Sequence, residues 1–369
     1  MADPSAPAEP DLVQSAPRRF VLVTGAGRSG TSTMSGGLNH LGIHSPRPSL
    51  GANASNPRGF FEPKWAIDFH RRILERAAID TFDGRPDAVD RIQAVLGPEH
   101  EDEIVAWLTD ELEHAPQIVV KDPRSSWMPL LWASAAARLD MSTGFVAMLR
   151  HPAEVVGSRA TYYAKGDGQG VRRYQVMSVA RWVNANLITE RQTRGKTRTF
   201  VRYDDLIEDW RRVMGGLQRD FGLRFNADIE SGSRHSVDDF IDPSLRRHQV
   251  HWADLEIPAH LREIADETWL LCSKLGDRRG SDEEARAGLD ELSDRYRSLY
   301  DDAAAISHDV AAAEARVARK KAVRETRIKL KRQPSPPAPS VGPARPGILR
   351  GFGGLARRAA AKVAHRLRP

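Results

Sequence analysis

A glycine- and hydroxyl-rich segment follows an apolar run near the start of the chain. Residues 20–38 read FVLVTGAGRSGTSTMSGGL, where a β-type run breaks at Gly25 and a helical pattern begins after Gly30. Backbone amides at a helix N-terminus bind anions, and hydroxyl and arginine side chains add further donors. The segment therefore predicts a cradle for a phosphate-type anion. Its candidate ligands are Arg28, Ser29, Gly30, Thr31, Ser32 and Thr33.

Three other interpretations share this glycine spacing. The pattern G-x-G-x-x-G is typical of dinucleotide-binding loops, but no acid lies between Gly30 and Glu62 to hold a ribose, so an NADP-type site would have to use Arg47. A Walker A loop of a nucleotide kinase needs lysine where Thr31 stands. The third interpretation is structural, with hydroxyls that only cap the helix and glycines that only turn the chain.

A second arginine follows another apolar run, in the segment MLRHPAEVVGSRA. Arg150 ends the run, Pro152 suits a first helical turn, and Ser158 lies about two turns further along that helix. Taken alone, Arg150 could as well form a surface salt bridge. Together with the first loop, however, the pattern indicates two anion sites on one edge of the fold.

Both motifs resemble those of sulfotransferases that use 3′-phosphoadenosine 5′-phosphosulfate (PAPS). The first loop of that family reads roughly T-x-[PG]-[KR]-S-G-T-[ST], and residues 24–32 read TGAGRSGTS; the second motif is an Arg, a Pro two residues later and a Ser eight residues after the Arg. The resemblance spans roughly residues 18–275. It implies that the first loop holds the 5′-phosphosulfate, that Arg150 and Ser158 hold the 3′-phosphate, and that no metal is needed. Arg246, in the segment DPSLRRHQ, could reach the nucleotide or be a solvated charge.

The resemblance also directs attention to residues that could perform the transfer. Sulfuryl transfer needs stabilisation of charge on the leaving oxygen and a base for the acceptor hydroxyl. We expect Arg28 to stabilise the leaving oxygen. Glu62, the first carboxylate after a long acid-free loop, is the candidate base, with His70 and His151 as alternatives. Glu62 could instead serve only the start of the helix after Pro63.

Lys121 joins the catalytic candidates because it lies just past a third apolar run. The segment VVKDPRSSW contains KDPR, which is similar to a segment of many bacterial sulfotransferases. A structural pair between Asp122 and Arg124 is the alternative role for this segment.

The acceptor is expected to carry a hydroxyl and to be a carbohydrate or a cell-envelope glycan or glycolipid, an expectation that rests on the RSGTS loop alone. Aromatic residues in segments expected near the cleft suit a sugar face or an apolar group equally well, and most of them would also suit the core. They are Trp65, Trp127, Trp132, Tyr162 and Tyr163.

The elements that must position these residues alternate along the chain. Apolar β-type runs occur at 20–25, 117–121, 144–149 and 198–203. Helical periodicity covers 64–78, 101–114, 152–163, 172–192 and 204–221. This alternation predicts an α/β fold with a parallel sheet covered on both faces, and the resemblance makes that sheet P-loop-like. In such a sheet, ligands bind at the carboxyl ends of the strands.

Composition divides the chain into five segments. We expect a disordered N-terminus (1–17), a catalytic domain (18–281), a charged helical extension (282–332), a proline-rich linker (333–347) and a basic amphipathic helix (348–369). The net charge is +6, yet residues 316–369 hold 16 Lys and Arg against one acid, Glu325. The body is therefore net negative, and the positive charge belongs to the tail.

The tail suggests a partner, and the remaining composition suggests a compartment. A basic amphipathic helix suits an anionic membrane surface. Single-stranded nucleic acid would call for several stacking aromatics, and the helix has only Phe352. The single Cys272 and the absence of a signal-type or membrane-spanning apolar segment favour a cytoplasmic location, peripheral at the inner face of the membrane. A non-catalytic scaffold that acts through this tail is the alternative to an enzyme, and the oligomeric state is left open.

Overall fold

The structure is a computed structural model, and it describes residues 17–53, 56–163, 168–242 and 250–332, without the side chains of 159–163 and 329–332. Residues 1–16 of the N-terminal segment, the proline-rich linker, the basic C-terminal helix and Arg246 lie outside the described residues. The chain divides into two compact units, Met1–Ile306 and Ser307–Pro369.

A sheet of four parallel strands forms the centre of the first unit. The strands are β1 (Arg19–Gly25), β2 (Gln117–Lys121), β3 (Ser142–Leu149) and β4 (Arg198–Arg202), in the order β2-β1-β3-β4. All four strands occur where apolar β-type runs predicted them. The chain leaves β1 for β2 on one side, whereas β3 leads to β4 on the other. The carboxyl ends of β1 and β3 therefore flank the crevice where ligands bind in such sheets.

Helices cover both faces of the sheet, which confirms the predicted α/β fold. In the first unit they are α1 (Thr31–His40), α2 (Lys64–Ala77), α3 (Ala88–Gln93), α4 (Pro98–Leu112), α5 (Pro129–Ala137), α6 (Pro152–Tyr163), α7 (Gly168–Thr193), α8 (Tyr203–Glu208), α9 (Trp210–Phe221), α10 (Ser236–Phe240), α11 (Ala259–Asp277) and α12 (Glu283–Ile306). The second unit contains α13 (His308–Arg332).

The side chains of β1 show how the two faces are filled. Successive residues of a strand point to opposite faces. Phe20 and Leu22 pack in a core cluster with residues of α2, α4 and α5, whereas Val21 and Val23 pack in a second cluster with α1 and α9. The central strand is thus buried on both sides, as expected of a parallel sheet.

Two helical predictions differ from the structure. The helix expected over 204–221 is broken at Asp209, whose backbone is extended (φ −147°) and whose side chain accepts a hydrogen bond from the Arg212 amide at 2.9 Å. An N-cap thus starts α9 in the middle of the expected helix. The single extension expected over 282–332 is likewise two helices, α12 and α13.

The helix α12 packs into the core of the first unit. Leu289, Leu292 and Tyr296 are buried in the cluster that also contains α7 and α11. The Tyr296 hydroxyl donates to the carbonyl oxygen of Gly84, at 2.5 Å. The compact unit consequently continues to Ile306, past residue 281 where the catalytic domain was expected to end. By contrast, the described side chains of α13 are almost all exposed. None of the described helices is both long and apolar enough to span a membrane.

Candidate active site

A cavity of about 590 Å³ lies at the carboxyl edge of the sheet. Its wall contains most of the residues that the sequence nominated: Arg28, Gly30, Thr31, Ser32, Thr33, Glu62, Lys121 and Arg150. Ser29 and Ser158 do not line it. Residues far apart in the chain meet here because each follows, or packs against, the carboxyl end of a parallel strand.

The loop between β1 and α1 is shaped by glycines with positive φ. Gly25 has φ +135°, and a Cβ there would lie 2.6 Å from the Met148 carbonyl oxygen. Gly30 has φ +90°, and a Cβ there would lie 2.2 Å from the Tyr203 ring. No side chain caps α1. The amides of its first turn therefore have no partner within the helix and are available to an anion.

Arg28 is oriented by Ser158. The Arg28 backbone has φ +75°, and its Nε donates to Ser158 Oγ at 3.1 Å. Ser158 is buried, so it orients the Arg28 side chain without itself lining the cavity. Ser29 is also buried; its amide donates to the Ala26 carbonyl at 3.1 Å, and its hydroxyl has no hydrogen-bond partner among the described residues. The side chain of Ser29 is therefore packed inside the turn and does not face the cavity.

Arg150 follows β3 and is held in place on several sides. Its Nε donates to Glu154 Oε2 at 2.9 Å, and its Nη1 donates to the Arg28 carbonyl at 3.4 Å. Its guanidinium carbon lies 4.9 Å from the centre of the Tyr203 ring. Burial raises the pKa of Tyr203, and the charge of Arg150 opposes that effect. Arg150 therefore sits directly beside the first loop.

Glu62 and Lys121 form a buried ion pair in the cavity wall. Glu62 Oε1 lies 2.5 Å from Lys121 Nζ, and Lys121 Nζ also donates to Ser32 Oγ at 3.3 Å. Arg124 Nη1 lies 3.9 Å from the second oxygen of Glu62. The pair thus connects the candidate base directly to the anion-binding loop.

The segment that carries Glu62 is fixed at both ends. The Leu50 amide donates to the Glu62 carbonyl at 2.8 Å, and the Lys64 amide donates to the Pro48 carbonyl at 2.8 Å. Just before Glu62, Phe61 has φ +54°, a conformation that costs a non-glycine residue energy. The Phe61 ring packs edge-on against Phe240, at 5.7 Å between ring centres.

Asp122 supports this wall from behind. Its carboxylate accepts hydrogen bonds from Arg124 Nη1 at 2.8 Å and from His70 Nδ1 at 3.0 Å. Burial alone would raise the pKa of Asp122, but the interactions with His70 and Arg124 outweigh burial and hold it below its ordinary value. Asp122 and Arg124 are thus a structural pair, and Arg124 also lines the cavity.

Neither histidine alternative for the base lines the cavity. His70 is fully buried, and the Trp132 indole N–H donates to its Nε2 at 2.9 Å. An indole N–H can only donate, so the lone pair of that ring nitrogen is already used. His151 lies between the rings of Trp252 and Trp269, and burial lowers its pKa although Asp266 opposes the effect. The structure therefore leaves Glu62 as the candidate base.

Several lining residues were absent from the sequence-based selection. They are Arg58 and Arg124 among the cations, and Phe60, Phe82, Tyr174 and Tyr203 among the aromatics. The tryptophans named near the cleft lie elsewhere: Trp127 and Trp132 are buried in a core cluster, and Trp65 packs against it. The side chains of Tyr162 and Tyr163 lie outside the described residues. The sequence feature that could have pointed to Arg58 as a lining residue is its position in the acid-free loop before Glu62.

The charge of the cavity wall is strongly positive. Five basic residues line it against one acid, Glu62. Among the described residues, no cluster of His, Cys, Asp or Glu has an arrangement that could hold a metal ion. The described wall thus suits a ligand with several negative charges held by side chains and amides.

Comparison with known proteins points to one family. The family model described as "Sulfotransferase family" matches residues 21–227, a range that contains most of β1, all of β2, β3 and β4, and the residues Glu62, Lys121 and Arg150. No match was found among proteins with curated descriptions.

Solved structures with similar folds are more distant. The sulfotransferase domain from the Synechococcus PCC 7002 olefin synthase is 17% identical, over 70% of this chain and 95% of that one, with a TM-score of 0.41. The sulfotransferase domain from the curacin biosynthetic pathway is 16% identical, over 69% and 98%, with a TM-score of 0.38. Sulfotransferase STF1 from Mycobacterium tuberculosis H37Rv is 16% identical, over 70% and 78%, with a TM-score of 0.36.

The geometry of the first loop predicts the effect of one added methyl group. Gly30→Ala should destabilise the fold by about 1–2 kcal/mol or more, because the left-handed backbone and the Tyr203 ring both oppose a Cβ. It should also abolish stabilisation by inorganic pyrophosphate, measured as a shift of the unfolding temperature. Gly216→Ala is the control: in α9 an added Cβ meets nothing within 4 Å, so this change should stabilise by ~0.5–1 kcal/mol. Normal pyrophosphate binding by Gly30→Ala would contradict the cradle.

Proposed function

The chain belongs to the sulfotransferase family and is a sulfotransferase; from that premise we propose that its donor is PAPS and that its acceptor is a hydroxyl group of a carbohydrate or a cell-envelope glycan or glycolipid. Adenosine 3′,5′-bisphosphate is then the second product. Membership of an enzyme family sets aside the kinase, NADP-binding and scaffold alternatives that the sequence left open.

One observation carries the choice of donor: two anion-binding groups meet at the crevice between β1 and β3. The loop with Arg28 and the first turn of α1 offers amides and hydroxyls for the 5′-phosphosulfate. Arg150, which contacts the Arg28 carbonyl, offers a guanidinium for the 3′-phosphate. The excess of basic residues in the wall suits the several negative charges of this nucleotide.

Different residues of the cavity wall have different roles in the proposed transfer. Bound PAPS supplies an activated sulfuryl group with a phosphate as leaving group. Arg28, Lys121 and the amides of the α1 first turn face the region where negative charge grows on the leaving oxygen, and fixed donors there lower the barrier. Glu62 accepts the proton of the acceptor hydroxyl. Lys121 contacts both Glu62 and Ser32, so one side chain links the base to the donor loop.

Aromatic rings also line the cavity. Phe60 belongs to the loop that precedes Glu62, and Phe82 packs over the donor loop, where a Cβ on Gly27 would lie 2.5 Å from its ring. Such rings suit the face of a sugar or an apolar substituent. The acceptor hydroxyl is therefore expected between the Phe60 ring and the Glu62 carboxylate.

We also propose that the basic C-terminal segment brings the enzyme to an anionic membrane surface on the cytoplasmic side. Residues 348–369 combine apolar residues at helical spacing with arginine and lysine, and each basic residue near such a surface contributes up to about 1 kcal/mol. This proposal rests on the sequence alone.

Truncation separates the tail from catalysis. A chain that ends at Arg332 should keep its affinity for adenosine 3′,5′-bisphosphate and should lose sedimentation with vesicles of anionic phospholipid. Uncharged vesicles control for non-specific adsorption. If the shortened chain still sediments and a chain ending at Ile306 does not, α13 binds the lipid and the proposed role of residues 348–369 is wrong.

Donor identity is tested by removing the guanidinium assigned to the 3′-phosphate. Arg150→Ala should weaken adenosine 3′,5′-bisphosphate by about 10- to 100-fold, the value of a charged hydrogen bond, as measured by calorimetry. Adenosine 5′-phosphosulfate, which lacks the 3′-phosphate, should be affected much less. Arg202→Ala, whose ion pairs with Asp205 and Asp277 lie outside the cavity wall, is the control. Equal weakening of both nucleotides would contradict the assignment.

The role of Glu62 is tested by a substitution that keeps its shape. Glu62→Gln should lower kcat by about 10²- to 10⁴-fold, the usual contribution of a general base, without loss of bisphosphate affinity, because Lys121 only loses a competing partner. Steady-state rates and calorimetry on the same preparation separate the two effects. Glu75→Gln, on an exposed position of α2, removes the same charge and should have no effect. An unchanged kcat in Glu62→Gln would exclude Glu62 as the base.

A further inference from the structure

We infer that the acceptor carries a negative charge of its own and that Arg58 binds it. This inference rests on the proposed sulfuryl transfer and concerns the class of acceptor: an alcohol or sugar that bears an oxyanion close to the hydroxyl that is sulfated. Five cations line the cavity, and four of them have a partner or a proposed role described above.

Three of the cations have carboxylate partners within the protein. Lys121 pairs with Glu62, Arg124 with Asp122, and Arg150 with Glu154. Arg28 belongs to the donor loop and contacts Ser158. Arg58 differs, because among the described residues no carboxylate lies within ion-pair distance of its guanidinium.

Arg58 is held in place by uncharged groups. Its Nη1 donates to the Phe240 carbonyl, and its guanidinium carbon lies 5.8 Å from the centre of the Phe240 ring. A guanidinium has five N–H donors, and this contact uses one nitrogen. The side chain is half-buried beside Pro57 and Phe60 in the cavity wall. A positive charge in such a position is stabilised by an anion that a ligand brings.

The position of Arg58 favours the acceptor over the donor. Arg58 precedes Glu62 by four residues on the same loop. Its anchor, Phe240, packs over Gly36 of α1, where a Cβ would lie 2.2 Å from the ring. Gly36 is five residues into the helix, roughly 7 Å along the axis from the first turn that faces the donor anion. Arg58 therefore lines the same cavity as Glu62, and its anchor Phe240 packs on α1 beyond the first turn, although Asn56 of the same loop donates to Ser32 Oγ at 3.2 Å.

Matched acceptor pairs test this inference. One pair is 4-(hydroxymethyl)benzoate and 4-(hydroxymethyl)benzamide; the other is methyl β-glucuronoside and its primary amide. Within each pair the hydroxyls and the shape are the same, and only the charge differs. With PAPS as donor, the wild-type protein should prefer the carboxylate by about tenfold or more in kcat/KM, the value of a charged hydrogen bond. Arg58→Gln should reduce this ratio to about one.

Two further variants make the result specific. Arg58→Lys keeps the charge and should keep part of the preference. Arg47→Gln removes an exposed arginine of the same loop that does not line the cavity, and should keep the wild-type ratio. Calorimetric binding of the four probes to the protein saturated with adenosine 3′,5′-bisphosphate measures the same ratio if turnover of a pair is too slow to follow.

Three outcomes would overturn the inference. The first is equal use or binding of carboxylate and amide by the wild-type protein, and the second is an unchanged preference in Arg58→Gln. The third is a loss of bisphosphate affinity in Arg58→Gln, which would place Arg58 in the donor site. Failure of the wild-type protein to bind the bisphosphate would count instead against the proposed donor. Bisphosphate binding without a carboxylate preference would leave the donor in place and remove only the charged acceptor.

Discussion

The opposite directions in which the chain leaves β1 and β3 are the constraint from which the site follows. Because β1 connects to β2 on one side and β3 connects to β4 on the other, their carboxyl ends flank a gap of the kind where ligands bind in such sheets. The loop after β1 and the arginine after β3 both lie at this gap, where Arg150 Nη1 donates a hydrogen bond to the Arg28 carbonyl. The ion pair of Glu62 and Lys121 follows from the same geometry, since Lys121 ends the neighbouring strand β2.

Close packing around the loop between β1 and α1 leaves no room for a Cβ at Gly25 or Gly30. Tyr203 follows β4, which β3 separates from β1 in the sheet, yet its ring occupies the space beside Gly30 and lies 4.9 Å from the Arg150 guanidinium carbon. One aromatic ring therefore packs against both the backbone of the first loop and the side chain of Arg150. The two sites cannot move independently, which suits a ligand that spans both.

The sequence predicted features that depend on local patterns and missed those that depend on contacts across the chain. The strands follow from apolar β-type runs, and the donor loop and Arg150 follow from motifs of fixed spacing. Nothing in the local pattern distinguishes Trp132, which is buried in the core, from Phe82, which lines the cavity, because both are aromatic residues in α/β connections. The apolar spacing of α12 predicted its helix, but the partner of Tyr296 is a loop more than 200 residues earlier. The break at Asp209 was a local signal, since aspartate is a preferred N-cap.

The placement of acids around the cavity gives Glu62 its distinct role. Asp122 and Glu154 each pair with an arginine of the wall, but neither lines the cavity, so they orient cations without competing with a bound anion. Glu62 is the one carboxylate among the described lining residues. Its ion pair with Lys121 is buried, and breaking such a pair by removing one partner costs about 3–5 kcal/mol because a charge is left unpaired. An anion that arrives near Ser32 offers Lys121 a second partner, and the attraction between Lys121 and Glu62 is then shared with the ligand. Binding of the donor would thereby release the carboxylate toward the acceptor hydroxyl, which couples the occupation of one half of the cavity to the chemistry of the other.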